Sequence, residues 1–308
     1  MATPATPTEE VNTRRKSVLL VNSDARRGLE WYEHARTKLA SEGLNLVSST
    51  AYTDVEKLIA DAKAAVHEKI PLLIVGGGDG TLSAVAGLVA NSHSAMAVLP
   101  LGTANEFARD LHIPLTVDGA CDVISKGRII HVDLGKIQDR FFVNVATAGL
   151  TTKIAEQLTK PMKKRFGRFA YAFAVFGGLR NLTPFQATLT TENGKIEFEC
   201  LQLVIGNGRL HAGPFPVLPK AGLRQGKFSI YALKGNRRSE LLLYALMLPG
   251  GHHAMLSEIH SQYARKGTLV ANPRVRTTVD GEILCRTPVK FECLPSALKV
   301  IAPADFED

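Results

Sequence analysis

In the first 130 residues, short apolar runs alternate with stretches whose apolar positions recur every three or four residues. Residues 18–22, Val-Leu-Leu-Val-Asn, predict a short buried strand that ends in a polar turn reaching Gly28. Residues 31–40 read as a helix, residues 44–50 alternate weakly as a strand, and residues 55–67 repeat at helical spacing. Two further strands are expected at 72–75 and 95–99, each followed by a helical pattern, at 82–90 and at 106–111; Pro114 stops the last. Alternation of this kind predicts parallel strands with helices on both faces. Ligands on such sheets bind beyond the carboxyl ends of the strands.

Near residue 130 the pattern changes. Residues 128–137 and 140–146 predict a hairpin, and more strands are expected at 185–189, 196–205, 227–233, 268–271, 275–279 and 289–294. Turn residues separate them, as in Glu192-Asn-Gly-Lys195. This half reads as mostly antiparallel β, with helical inserts at about 160–182 and 238–248. The expected domains are a disordered tail over 1–13, an α/β domain over 14–138, a β-sandwich over 139–295, and a segment over 296–308 that could return to the first domain.

The chemistry concentrates where apolar runs end in glycine. Pro71-Leu-Leu-Ile-Val-Gly-Gly-Gly-Asp-Gly-Thr81 is such a junction, and Leu99-Pro-Leu-Gly-Thr-Ala-Asn-Glu-Phe-Ala-Arg109 is a second. Glycine admits positive φ and lets backbone N–H groups approach a phosphate, while the helix that follows directs its positive end to the same spot. Asp79 would repel a phosphate unless a magnesium ion lies between them. Alternatively, Asp79 caps the helix in a tight turn. No Gly-Lys-Ser/Thr follows, so this is not the Walker pattern. Thr103 or Asn105 could cap the second helix while touching a nucleotide, and Asn22 with residues 26–28 adds a third phosphate-friendly loop. Adjacent turns of this type suggest a nucleotide polyphosphate.

These stretches resemble the diacylglycerol kinase catalytic-domain family, in particular its bacterial soluble lipid kinases. The resemblance runs in the family's order from about residue 15 to 305, through Gly76-Gly-Gly-Asp-Gly-Thr81, Leu99 to Arg109, Val132-Asp-Leu-Gly135, Phe142-Val-Asn-Val-Ala-Thr-Ala-Gly149, Ile205-Gly-Asn-Gly208 and Val279-Asp-Gly-Glu282. It implies an α/β domain followed by a β-sandwich, with the active site in the cleft between them, and phosphoryl transfer from ATP to a lipid hydroxyl. It also implies that Gly77, Gly78, Asp79, Gly80, Thr81, Leu82 and Ser83 hold the ATP phosphates, with Thr103 and Thr50, or Thr53 across a small gap, also on the nucleotide; Asn22 and Asn105 join them from the reading of the loops above. Asp79, Glu106 and Asp133 would form a carboxylate network around a catalytic Mg2+ and its waters, and Glu282 would be the general base. Asp is frequent in the family where Glu106 stands. Gln225 stands where many members have an aspartate ligand for a structural magnesium, and a neutral amide is a weak ligand for that ion.

Hydrophobic content of 45% supports real cores, and a net charge of +8 with pI near 9.3 fits an anionic partner. From Lys160 to Arg180 the chain starts basic and turns apolar and aromatic, which reads either as an interfacial helix on a membrane or as an amphipathic helix packed on the sandwich. No nucleic-acid recognition motif accompanies the charge. No secretory signal and no run of about 18 apolar residues is visible, so a cytoplasmic protein, peripheral to the inner membrane face, is expected. Cys121, Cys200, Cys285 and Cys293 are scattered, without C-x-x-C spacing, and read as buried reduced thiols. The oligomeric state is left open, a homodimer included. The competing readings are an NAD kinase, which shares Gly-Gly-Asp-Gly, and a catalytically idle lipid- or nucleotide-binding regulator; the second glycine motif argues against the first, and retention of Asp79 and Glu282 against the second.

Overall fold

The computed structural model describes residues 9–10, 15–24, 28–149, 183–209, 222–233 and 259–308. The chain divides into two units, Met1–Leu134 with Leu294–Asp308, and Gly135–Cys293. The helical inserts expected at 160–182 and 238–248 lie outside the described residues.

The first unit opens with β1 (Glu9–Glu10), β2 (Lys16–Asn22), α1 (Gly28–Ser41), β3 (Asn45–Tyr52), α2 (Val55–His67), β4 (Leu72–Gly77) and α3 (Asp79–Val89). It continues through β5 (Ala95–Pro100), α4 (Glu106–Asp110), α5 (Val117–Lys126) and the start of β6 (Arg128–Ile137), whose last three residues belong to the second unit. β3, β2, β4 and β5 are parallel neighbours in that order. Every residue of β4 and β5 is buried, as the unbroken apolar runs require when both faces are covered. Each such Leu, Ile or Val stabilises the fold by about 1.5–3 kcal/mol. β3 alternates weakly in sequence because only Tyr52 in it is buried. Two helices start on ordinary caps: Asp54 accepts from Glu56 N at 2.9 Å, and Thr116 accepts from Gly119 N at 3.2 Å. The second, α5, has no counterpart among the expected elements; Thr116, two residues past Pro114, is its start signal. The tail expected to be disordered contributes β1, which pairs antiparallel with β6 through Glu9 and Ile129.

The second unit holds β7 (Arg140–Phe142), β8 (Val145–Gly149), β9 (Phe185–Thr191), β10 (Gly194–Cys200), β11 (Gln202–Gly206) and β12 (Phe228–Leu233). After these come β13 (Ile259–Ala264), β14 (Lys266–Asn272), β15 (Arg276–Val279), β16 (Glu282–Arg286) and β17 (Val289–Ala302). One antiparallel sheet runs β13-β12-β11-β8-β15-β16, and a second antiparallel set runs β10-β9-β14-β17. In the core Phe142 stacks on Phe228 with ring centroids 5.4 Å apart, and Phe291 meets Phe228 edge-on at 6.0 Å. Gly135 faces Phe142 where a Cβ would enter its ring, so this position needs glycine. Two expectations are corrected. The hairpin partner of β6 ends at Phe142, and Val145–Gly149 joins the other sheet beside β11 and β15. The single strand expected over 196–205 breaks at Leu201, and its halves pair with β9 and with β8 and β12.

Val289–Cys293 of β17 belongs to the second unit and Leu294–Ala302 to the first. There Val300 pairs parallel with Met96 of β5, and Asn91 N donates to Ala297 O at 2.8 Å. Beyond the strand, Phe306 O accepts from Arg128 Nη2 at 2.6 Å, and the His112 and Phe306 rings lie 5.3 Å apart.

All four cysteines are free; Cys121, Cys200 and Cys293 are buried and Cys285 is half-buried. Burial pushes the Cys121 and Cys200 thiols up to about 12. Because the thiolate is the reactive form, iodoacetamide at pH 8 should label Cys285 first and leave Cys121 and Cys200 untouched until the protein is denatured. Rapid native labelling of either buried residue, read by peptide mass spectrometry, contradicts this packing.

Candidate active site

β4 and β5 lie side by side, β4 ending at Gly77 and β5 at Pro100, two residues before Gly102, so their loops leave the sheet together. Leu101 N donates to Gly77 O at 3.0 Å, which joins the two exits. A Cβ on Gly102 would lie 2.7 Å from the Gly78 Cα, and one on Gly77 2.7 Å from the Thr81 Cβ. The two loops therefore touch backbone to backbone, at a separation only glycine allows. Gly78 is the N-cap of α3, extended at φ −88° and ψ 176°, so the helix begins on Asp79 and presents its first N–H groups beside the second loop.

A Gly102→Ala substitution tests this contact. Backbone on one side and the Asn105 amide, 2.8 Å away, on the other leave the methyl no room, so the loops must part. Overpacking of this kind costs about 1–3 kcal/mol. The expected result is a KM for ATP raised about tenfold or more, with a lower melting temperature; an unchanged KM would detach the loop contact from nucleotide binding.

Neither aspartate nor asparagine caps as the sequence suggests. Asp79 is the first residue of α3, and its Oδ1 accepts from Phe107 N of α4 at 3.1 Å. That bond satisfies a donor at the start of α4 and sets the Asp79 carboxylate one residue from Glu106. Asn105 occupies the N-cap position of α4 in the left-handed conformation, φ 51°, without a capping bond. Its Oδ1 accepts from Gly102 N at 2.7 Å, and its Nδ2 donates to Gly102 O at 3.0 Å and to Pro100 O at 3.3 Å. The Asn105 amide is thus bound to its own loop and holds the fold of residues 100–105.

Other expected residues fall around these loops. Asn22, at the end of β2, donates from Nδ2 to Thr81 Oγ1 at 3.3 Å, tying a third loop to α3. Thr103 is exposed in the second loop. Gly80 lies in the first turn of α3, and Ser83 is buried in the next. Leu82 is a core residue with no exposure, and its N–H donates to Gly78 O at 3.0 Å, so neither its side chain nor its amide is turned to a ligand. Thr50 is half-buried on β3, opposite Leu20 and two residues short of Tyr52. Tyr52 donates to Asp61 Oδ2 at 2.6 Å; burial first, and this bond second, push its hydroxyl up to about 12.

Asp133 on β6 is only 2% exposed, and its Oδ1 accepts from Ser296 N at 2.8 Å. Among the described residues no three Asp, Glu, His or Cys side chains gather into a metal cage. Asp79 beside Glu106 still suits magnesium, which takes one or two carboxylates and fills its octahedron with waters and phosphate oxygens. Gln225 is exposed just before β12.

In the second unit, three of the quoted motifs meet. Asp280 and Gly281 form the turn between β15 and β16 with φ of 43° and 83°, a pairing that suits Asp-Gly. The Asp280 carboxylate accepts from Val143 N at 3.0 Å, Asn144 N at 3.1 Å and Val145 N at 2.8 Å. Asn144 O accepts from Asn207 N at 2.8 Å, and Asn207 Nδ2 donates to Val143 O at 3.0 Å. Glu282 follows the turn, exposed, with Oε2 3.4 Å from Arg140 Nη2. Sequence reasoning missed Arg140 and Asn207; the Asn of Ile205-Gly-Asn-Gly208 is the one signal that marks a polar residue entering this cluster.

Comparison with known proteins places both units. Residues 16–137 match the model of the diacylglycerol kinase catalytic domain, and residues 144–302 match that of the YegS C-terminal NAD kinase beta sandwich-like domain. The chain belongs to the diacylglycerol kinase catalytic-domain family. As a member it is an ATP-dependent kinase. Diacylglycerol kinases of Staphylococcus aureus strains JH9 and Newman are each 29% identical to it over 273 residues, covering 88% of this chain and 86% of the relative. The fold of the kinase is shared with a solved diacylglycerol kinase of Bacillus anthracis strain Sterne, at a TM-score of 0.80 and 21% identity over 95% of this chain and 98% of that one. Among the described residues no helix of the kinase is long and apolar enough to cross a membrane.

Proposed function

We propose that this kinase transfers the γ-phosphate of ATP to a hydroxyl of a membrane lipid, diacylglycerol first. The observation that carries the reading is the backbone contact of the Gly78 and Gly102 loops, which brings two glycine turns and the start of α3 together at the ends of adjacent parallel strands. In this reading the loops and the start of α3 orient the ATP phosphates. Asp79 and Glu106 would hold Mg2+, and Asp133 would complete the carboxylate network around it. When bound, the ion draws charge off the phosphate oxygens. Glu282 accepts the proton of the lipid hydroxyl as its oxygen bonds to the γ-phosphorus and the bond to ADP breaks. Exposure of Glu282 supports access by a lipid headgroup. The stretch from Lys160 to Arg180, basic and then aromatic, supplies peripheral contact with an anionic bilayer, and a cytoplasmic location goes with it.

The test is transfer of labelled γ-phosphate, with magnesium, to mixed micelles of diacylglycerol, phosphatidylglycerol, sphingosine or ceramide, with NAD as the soluble control. Label in diacylglycerol is the expected outcome. Label in another lipid moves the substrate; label in NAD alone overturns the reading.

A further inference from the structure

A tight Asp-Gly turn needs its two residues to adopt positive φ; it does not need the aspartate side chain to bind anything outside the turn. Asp280 does more. Both of its carboxylate oxygens reach a segment 135–137 residues away in sequence and take three consecutive backbone N–H groups, at 3.0, 3.1 and 2.8 Å. Its own N–H donates to Val145 O at 2.9 Å, closing a two-way link. Bonds from N–H to a carboxylate are roughly twice as strong as neutral ones, so this staple anchors the turn firmly.

The far end of the staple is itself held. Asn144 O accepts from Asn207 N at 2.8 Å and Gly208 N at 3.3 Å, while Val143 O accepts from Asn207 Nδ2 at 3.0 Å in a fully buried setting. Glu282 begins two residues after Asp280 and pairs with Val279 across the turn. Its side chain has one polar neighbour described, Arg140, at 3.4 Å with both side chains more than half exposed (59% and 63%). Exposed pairs at that distance fix little. The direction of Glu282 therefore comes from its backbone, and the backbone takes its position from Asp280.

We propose that Asp280 is a positioning residue: its carboxylate clamps the turn to residues 143–145 and so aims Glu282 at the acceptor hydroxyl. The inference rests on Glu282 being the general base. Asparagine at 280 keeps the size and the turn preference, yet it offers one acceptor oxygen, and its NH2 group would confront a backbone N–H.

A double-mutant cycle tests this, using the full chain, labelled ATP and diacylglycerol micelles. Asp280→Asn should lower kcat about tenfold or more with the KM for ATP unchanged. In a Glu282→Gln background the same change should cost less than about twofold, because a residue that acts through Glu282 has nothing left to aim. An equal loss in both backgrounds overturns the proposal, since a general structural role predicts it. So does undiminished kcat in Asp280→Asn while Glu282→Gln is impaired. Near-normal turnover of Glu282→Gln alone removes the base assignment, and the proposal falls with it. If Asp280→Asn does not fold, Gly281→Ala replaces it: a Cβ there meets nothing within 4 Å, so the change strains only the φ of 83°. It should show a smaller kcat loss with the same dependence on Glu282; a loss that persists in Glu282→Gln overturns the proposal equally.

Discussion

Glu282→Gln should reduce kcat by about two orders of magnitude or more and leave the KM for ATP within about twofold. A positioned general base is worth roughly 10²–10⁴ in rate, and the amide preserves size while losing the ability to take a proton. Folding should be nearly unaffected. The one described ion pair of Glu282 joins two side chains that are both more than half exposed, and such pairs contribute on the order of 0–1 kcal/mol. Steady-state kinetics on diacylglycerol micelles, paired with a thermal melt, make the check. Turnover near that of the parent would take Glu282 out of the mechanism. A raised KM for ATP with normal kcat would move it to nucleotide binding.

Asp79→Asn should be at least as damaging, for a different reason. The Asp79 carboxylate accepts from Phe107 N and neighbours Glu106, so its charge lies where a metal-bound phosphate must be balanced. Removing one preorganised electrostatic group from such a site costs about 10²–10³ in kcat. Asparagine can still accept from Phe107 N, so α4 stays docked and the loss reports charge, not collapse. The magnesium concentration for half-maximal rate should rise with the substitution. Asp79→Ala should show the same kinetic loss plus a further destabilisation of about 1 kcal/mol from the abandoned α4 donor. A magnesium titration of the Asn variant that overlays the parent would separate Asp79 from the metal.

Much of the first unit was legible because β4 and β5 are buried on both faces and their apolar runs stop at glycine. Helix α2, expected over 55–67, has those bounds, since Asp54 caps it and its apolar spacing is regular. The misses share a cause in partners that no local pattern reveals. Leu201 looks like the middle of one strand; the break appears only because β10 and β11 pair with different sheets. Asn105 reads as a cap and turns out to fold its own loop, because glycine at 102 brings a backbone N–H and C=O within reach of the amide. Asp280 sits in an ordinary Asp-Gly pair, and its three acceptor bonds depend on a segment more than 130 residues earlier. The glycine loops could be found from sequence, as could Glu282 as a candidate; what fixes Glu282 could not.

The strand β17 carries one more consequence. Its last residues complete the sheet of the first unit, through Val300 and Met96, and Phe306 beyond it accepts from Arg128, 178 positions earlier. During synthesis most of the α/β unit emerges first, yet its edge stays open until the ribosome has reached residue 300. Contacts of such long range slow folding and leave a strand edge unprotected in the interval. A nascent or prematurely terminated product ending near residue 290 thus exposes the flank of β5, and the cell meets it as a target for chaperones or proteases.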